Sequence, residues 1–155
     1  MTKDSTRLEV RGEIRAGACS WSKDELAALP ASAQVADVGA LVPGRRGTAI
    51  RLVALLDAAG PAQSARFVNI ESRDPAFAVS VPLGELASAV VIYAEGGAPL
   101  APEKGGPFRL LVPGHDDECV NVKQVVRLEL ARERGRDTRP IDDDEHRKLH
   151  ACKRT

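Results

Sequence analysis

The chain has 155 residues, room for one domain with a sizeable core, and its 43% hydrophobic content is that of a globular protein. Aromatic residues make up only 3%, so that core must be built from Val, Leu, Ile and Ala. Lys plus Arg equals Asp plus Glu at 22 each. No global field therefore draws nucleic acid or a membrane surface, and no apolar run approaches the roughly 20 residues that span a bilayer.

Leu8 to Ile14 alternates apolar and polar residues, the period of a half-buried strand. Ser22-Lys-Asp-Glu25 is a capping box that opens a short helix through Leu29, which Pro30 ends. Gln34 to Val42 is apolar and reads as a strand, and Pro43-Gly-Arg-Arg-Gly47 as a loop. Apolar residues at 50, 52, 53, 55 and 56 suit a short strand feeding a helix over Ile50 to Ala59. Phe67 to Glu71 and Phe77 to Val81 flank Ser72-Arg-Asp-Pro75 as a hairpin, and Pro82, which cannot donate to a ladder, ends it. Leu83 to Ala87 allows one helical turn at most.

An apolar strand, Ala89 to Tyr93, stops at Glu95-Gly96-Gly97, where glycines permit a tight turn. Pro99 and Pro102 force an extended path, Gly105-Gly106-Pro107 turns the chain again, and Phe108 to Val112 runs as a second buried strand. The segment from Tyr93 to Phe108 reads as a shaped turn that carries no chemistry. Val120 to Leu130 is the last strand. Beyond it, charge of both signs replaces large apolar residues, so the chain divides into a domain over residues 1–130 and a tail over 131–155, disordered or with one helix from Asp142 to His150. Strands and a few short helices without strict alternation define an α+β architecture with mixed or antiparallel sheets. Cys19, Cys119 and Cys152 are odd in number and widely spaced, which suits reduced thiols, and the polar start Met1 to Arg7 suits a cytoplasmic protein.

The run from Tyr93 to Pro113 resembles the "NGEPLPxEHGGPxRLVVPG" segment of the sulfite oxidase-type molybdopterin-binding domain family. Leu8-Glu-Val-Arg-Gly12, Trp21 to Pro30, Ile50-Arg-Leu-Val-Ala-Leu-Leu56 and Val120 to Leu130 are similar to further blocks of that family, in the same order. The resemblance implies a sulfite oxidase-type fold, molybdopterin as the cofactor, and oxidoreductase chemistry resting on a cysteine thiolate bound to molybdenum. It also implies that this cysteine follows the strand at Gln34 to Val38. The sequence there is Asp37-Val-Gly-Ala-Leu-Val42, without cysteine, and the family's "RNH"-type segment ahead of the first strand has no counterpart. Metal binding is thus doubtful and no catalytic residue is assigned.

What the resemblance retains is an anion-binding side. It implies cofactor contact for Lys123 with Asn121 and Val122 and for His115, and the residue types add Arg45 and Arg46 in their glycine-flanked loop as candidate contacts. A lysine supplies a point charge with three donors, and arginine a planar fork for phosphate or carboxylate. The plainer readings are a solvated strand lysine, an ordinary exposed loop, and a polar loop for His115-Asp-Asp-Glu-Cys119. His146, His150 and Cys152 have a spacing compatible with a zinc site, but also with a solvated tail.

Three functions follow as expectations. The first is a module that binds a pterin, another anionic small molecule or a protein partner without redox turnover. The second is a molybdenum-cofactor-dependent oxidoreductase. The third is a structural protein with a collapsed pocket.

Overall fold

The structure is a computed structural model, and it describes residues 6–139. The proposed tail helix, His146, His150 and Cys152 lie outside the described residues.

Leu8–Gly12 (β1) pairs with Ala18–Trp21 (β2), an edge strand that no alternating pattern in the sequence announces. Ser22 then caps the helix Lys23–Ala27 (α1): the Glu25 amide donates to Ser22 Oγ, and the Ser22 amide to Glu25 Oε1. Both halves of the capping box are therefore made, as its four residues require. Gln34–Val35 (β3) is shorter than the apolar run 34–42 suggests. Asp37 ends it, because its side chain accepts from the Gly39 amide at 2.9 Å and folds Val38–Ala40 into a tight 3-10 turn.

Thr48–Arg51 (β4) runs straight into the helix Leu52–Ala59 (α2). Phe67–Ser72 (β5) and Ala78–Pro82 (β6) form the expected antiparallel hairpin. Val90–Glu95 (β7) turns at Gly96 and Gly97, both at positive φ, into Ala98–Pro99 (β8), and Arg109–Leu111 (β9) returns beside β7. Val125–Ala131 (β10) is also shorter than its sequence pattern. Residues 118–124 bend first, and Gln124 at φ 52 donates its amide to Gly105 O, so Asn121, Val122 and Lys123 lie in a loop.

Two five-stranded sheets result, in the orders β2-β1-β10-β5-β6 and β3-β4-β7, with β8 and β9 both on the far edge of β7. Among the described residues only β1 and β10 pair in parallel. The main core unites Leu8, Val10, Val68, Ile70, Val81 and Leu128 of the first sheet with Ile50, Val91 and Leu110 of the second, joined by Leu26 of α1 and Leu52 and Leu55 of α2. A smaller cluster, Val35, Val38, Ala49, Val90, Ile92, Leu100 and Leu111, covers the other face of the second sheet. Alternation along β7 sends Val91 and Tyr93 to the main core and Val90 and Ile92 to this second cluster. Burial of a Leu or Val side chain is worth about 1.5–3 kcal/mol, so both faces of β7 hold the sheet in place.

Candidate functional site

Arg109 opens β9 opposite Ile92, on the face of the second sheet that carries the smaller apolar cluster. Its neighbours Phe108, Leu110, Leu111 and Val112 are all buried, and Arg109 itself is 9% exposed. Its Nη1 donates weakly to Lys104 O at 3.4 Å, while its Nε is buried with no partner. Among the described residues no carboxylate lies within ion-pair distance of it.

Burial, and then the nearby Arg45, push the Arg109 guanidinium down to about 10, below its ordinary value, so at neutral pH it is still a full cation. A buried charge without a counter-charge is costly, and an orphaned donor adds to that cost. An anion delivered from solvent would relieve both.

Arg45 bears on it electrostatically, and the stem of Lys123 packs near by. The loop from Val42 to Gly47 lies over β7, with Gly47 packed directly against Ile92, and it brings Arg45 toward Arg109. On the other side stands Gly105, at φ +95. A Cβ at this position would lie 2.9 Å from Arg109 Cδ and 3.1 Å from Lys123 Cγ, so the absence of a side chain lets the two cationic side chains approach. Ser72 Oγ donates to Lys123 O at 3.0 Å and fixes the backbone that presents this lysine. Lys104, next to Gly105, is already paired with Glu95 at 2.9 Å.

The residues singled out from the sequence divide into separate groups. Arg45 and Lys123 belong with Arg109, and Arg46 is exposed beside Arg45 in the same loop. Asn121 accepts the Val112 amide at 2.8 Å, and Val122 is buried in the main core with its carbonyl bonded by the Leu110 amide. Both fasten the loop to β9. His115 lies four residues beyond the opposite end of β9. Its Nε2 is 2.8 Å from Glu85 Oε1 and its Nδ1 accepts the Asp117 amide at 3.0 Å. With Glu85, Ser88 and Val112 to Asp116 it lines a shallow cavity of about 390 Å³.

Sequence reasoning passes over Arg109. The signal available was a charge inside an otherwise apolar strand, Phe108-Arg-Leu-Leu-Val112.

Asp37, the residue nearest the expected thiolate position, is engaged by the Gly39 amide. Cys19 lies on β2 in the first sheet and packs against the main core. Cys119 is buried in the turn Glu118–Val120, its amide bonded to Asp117 Oδ1. No group of three or more His, Cys, Asp or Glu side chains is arranged to hold a metal ion among the described residues.

The site is thus carried by a two-sheet α+β domain in which the Nε of a buried guanidinium has no acceptor among the described residues. The sequence profile of the oxidoreductase molybdopterin binding domain family matches residues 1–138, and the chain belongs to that family. Among solved structures, it is similar to the sulfane dehydrogenase SoxCD from Paracoccus pantotrophus, with a TM-score of 0.65 and 21% identity over 86% of this chain. The chain spans 40% of that relative's length, and the likeness is one of fold. No curated protein matches the chain. Among the described residues no helix is long and apolar enough to cross a membrane.

Molybdopterin carries an anionic phosphate, and the orphaned Arg109 Nε with Arg45 and Lys123 fits that part of it. A molybdenum centre in this family is the source of redox chemistry, and the segment 36–47 offers it no thiol. The residues present thus suit the organic anion, and segment 36–47 offers the metal no thiolate.

Proposed function

We propose that this domain binds a pterin phosphate or a closely related small anion at Arg109, Arg45 and Lys123, and does so without redox turnover. The observation that carries the reading is Arg109 Nε, a buried donor with no acceptor among the described residues. Arg109 and Arg45 provide planar donor forks, Lys123 a mobile point charge, and the apolar residues beneath them exclude water and strengthen each contact. The absence of cysteine from the segment after β3 supports a binding module over an enzyme. Family membership favours a second reading, a molybdenum-dependent oxidoreductase, and a protein partner presenting a phosphate or carboxylate would use the same cations.

Elemental analysis of the purified full chain for molybdenum, with fluorescence detection of released pterin, separates these readings. The expected result is molybdenum far below one equivalent, together with thermal stabilisation on adding a pterin phosphate. A ligand at a hundred times its Kd stabilises the native state by about 2.7 kcal/mol. Stoichiometric molybdenum would overturn the non-redox reading. Absence of stabilisation by any phosphate-bearing ligand would favour the collapsed pocket.

A further inference from the structure

The first sheet ends at β6, and an edge strand offers unpaired peptide groups to any extended chain that reaches it. The outward groups of β6 include the amides and carbonyls of Ala78 and Ser80, and residues 134–139 occupy these four. The Thr138 amide donates to Ala78 O at 2.8 Å, and the Ala78 amide to Thr138 Oγ1 at 3.1 Å. The Ser80 amide donates to Asp137 Oδ2, while Ser80 O accepts from Arg134 Nη1 and Arg139 Nη2 at 2.9 and 3.0 Å. Below them Gly135 lies so close to the Asn69 amide that any Cβ there would collide with it. Arg139 also reaches Asp117 Oδ2 at 3.0 Å, and Arg134 stacks over the Phe67 ring.

This strap does the work of a sixth strand, largely with side chains. Arg134-Gly-Arg-Asp-Thr-Arg139 contains no apolar side chain, so hydrogen bonds and ion pairs hold it, and Arg132 and Glu133, which lead into it, are exposed. A segment that buries no apolar side chain of its own belongs to the part of a fold that opens at least cost.

We infer that the β6 edge is a docking site for an extended segment of this chemistry, and that its occupant in trans is residues 134–139 of a second copy of the chain. The argument for that occupant is direct: the strap sequence already satisfies the outward amides and carbonyls of Ala78 and Ser80 and both carboxylates around Arg139. Reciprocal exchange then makes a two-fold dimer with the same contacts as the monomer. Within one chain the short connection favours the strap's own edge, so the exchange needs that edge or that strap to be disabled.

The test pairs two full-length variants. In Gly135→Val/Arg139→Ala the strap cannot seat and the edge stays open. In Ser80→Pro the edge loses its outward N–H and the strap is released, while the bonds of β6 to β5 are spared. Each alone should run at the monomer mass of 16.5 kDa in light scattering, and their mixture at twice that mass in a 1:1 complex. A mixture of folded variants that stays monomeric overturns the exchange. Should Ser80→Pro not fold, a labelled peptide of residues 132–139 decides. It should bind Gly135→Val/Arg139→Ala at least about tenfold more tightly than wild type, whose own strap competes. Equal binding to both overturns the proposal.

Discussion

Arg109 and Lys123 flank Gly105, which holds their side chains near each other because it has none: a Cβ there would stand 2.9 Å from one and 3.1 Å from the other. Fourteen residues of sequence separate the two cations, and a single glycine at φ +95 lets them meet.

Gly105→Ala should therefore do two things. The left-handed backbone costs about 1 kcal/mol or more for a residue with a Cβ, and the methyl pushes Arg109 and Lys123 apart. We expect a modest drop in Tm and a larger loss of anion affinity, about tenfold. Titration with phosphate and with a pterin phosphate, followed by thermal shift, measures both. An unchanged affinity would mean that the cations do not act together.

Arg109→Met removes a buried cation with no counter-charge and keeps the volume of the side chain. Replacing buried charge by a well-packed apolar group is often stabilising by about 1–4 kcal/mol. The variant should melt higher than wild type without ligand and lose all stabilisation by added phosphate. Chemical denaturation in the presence and absence of phosphate checks this. A destabilised variant would mean that Arg109 has a structural partner.

Asp137 links the strap to acid. Burial alone would raise its carboxyl, but hydrogen bonds from Arg139 and from the Ser80 amide outweigh burial and hold it below its ordinary 3.8. A group with a lowered folded value contributes its full stability above the unfolded value and loses it as pH falls through the folded one. The strap should thus stay seated at pH 5 and release only below about 3.8. Hydrogen exchange of the Ala78 and Ser80 amides as a function of pH measures the release, and Asp137→Asn should abolish the pH dependence.

His115 accepts a backbone amide at Nδ1, so its neutral ring must carry its proton on Nε2 and donate to Glu85. Nitrogen NMR should show Nε2 as the protonated atom. Glu85→Ala, at a carboxylate 46% exposed, should cost no more than about 1 kcal/mol and leave phosphate binding unchanged. A loss of phosphate affinity in that variant would tie the His115 cavity to the cationic cluster.

Much of the scaffold was legible because its signals are local. The capping box at Ser22 and Glu25 fixes one helix start, and Ser72 to Pro75 fixes the hairpin of β5 and β6. Five motif blocks in order identified the family, and the profile match over residues 1–138 agrees with them. The errors also have local causes. Asp37 folds its side chain onto Gly39 and cuts β3 short, and Gln124 at positive φ delays β10.

By itself the sequence determined the α+β class, the positions of most strands, and the lack of a cysteine after β3. Those follow from side-chain period, turn chemistry and composition, which the chain carries residue by residue. Tertiary structure decided that Arg109 Nε is buried without a partner among the described residues, that Arg45 and the stem of Lys123 lie near it, and that His115 pairs with Glu85 thirty residues away. It also decided that residues 134–139 close the β6 edge. Burial and charge pairing depend on which distant segments cover a face. A strand's period says which side chains share that face and nothing of what arrives to cover them.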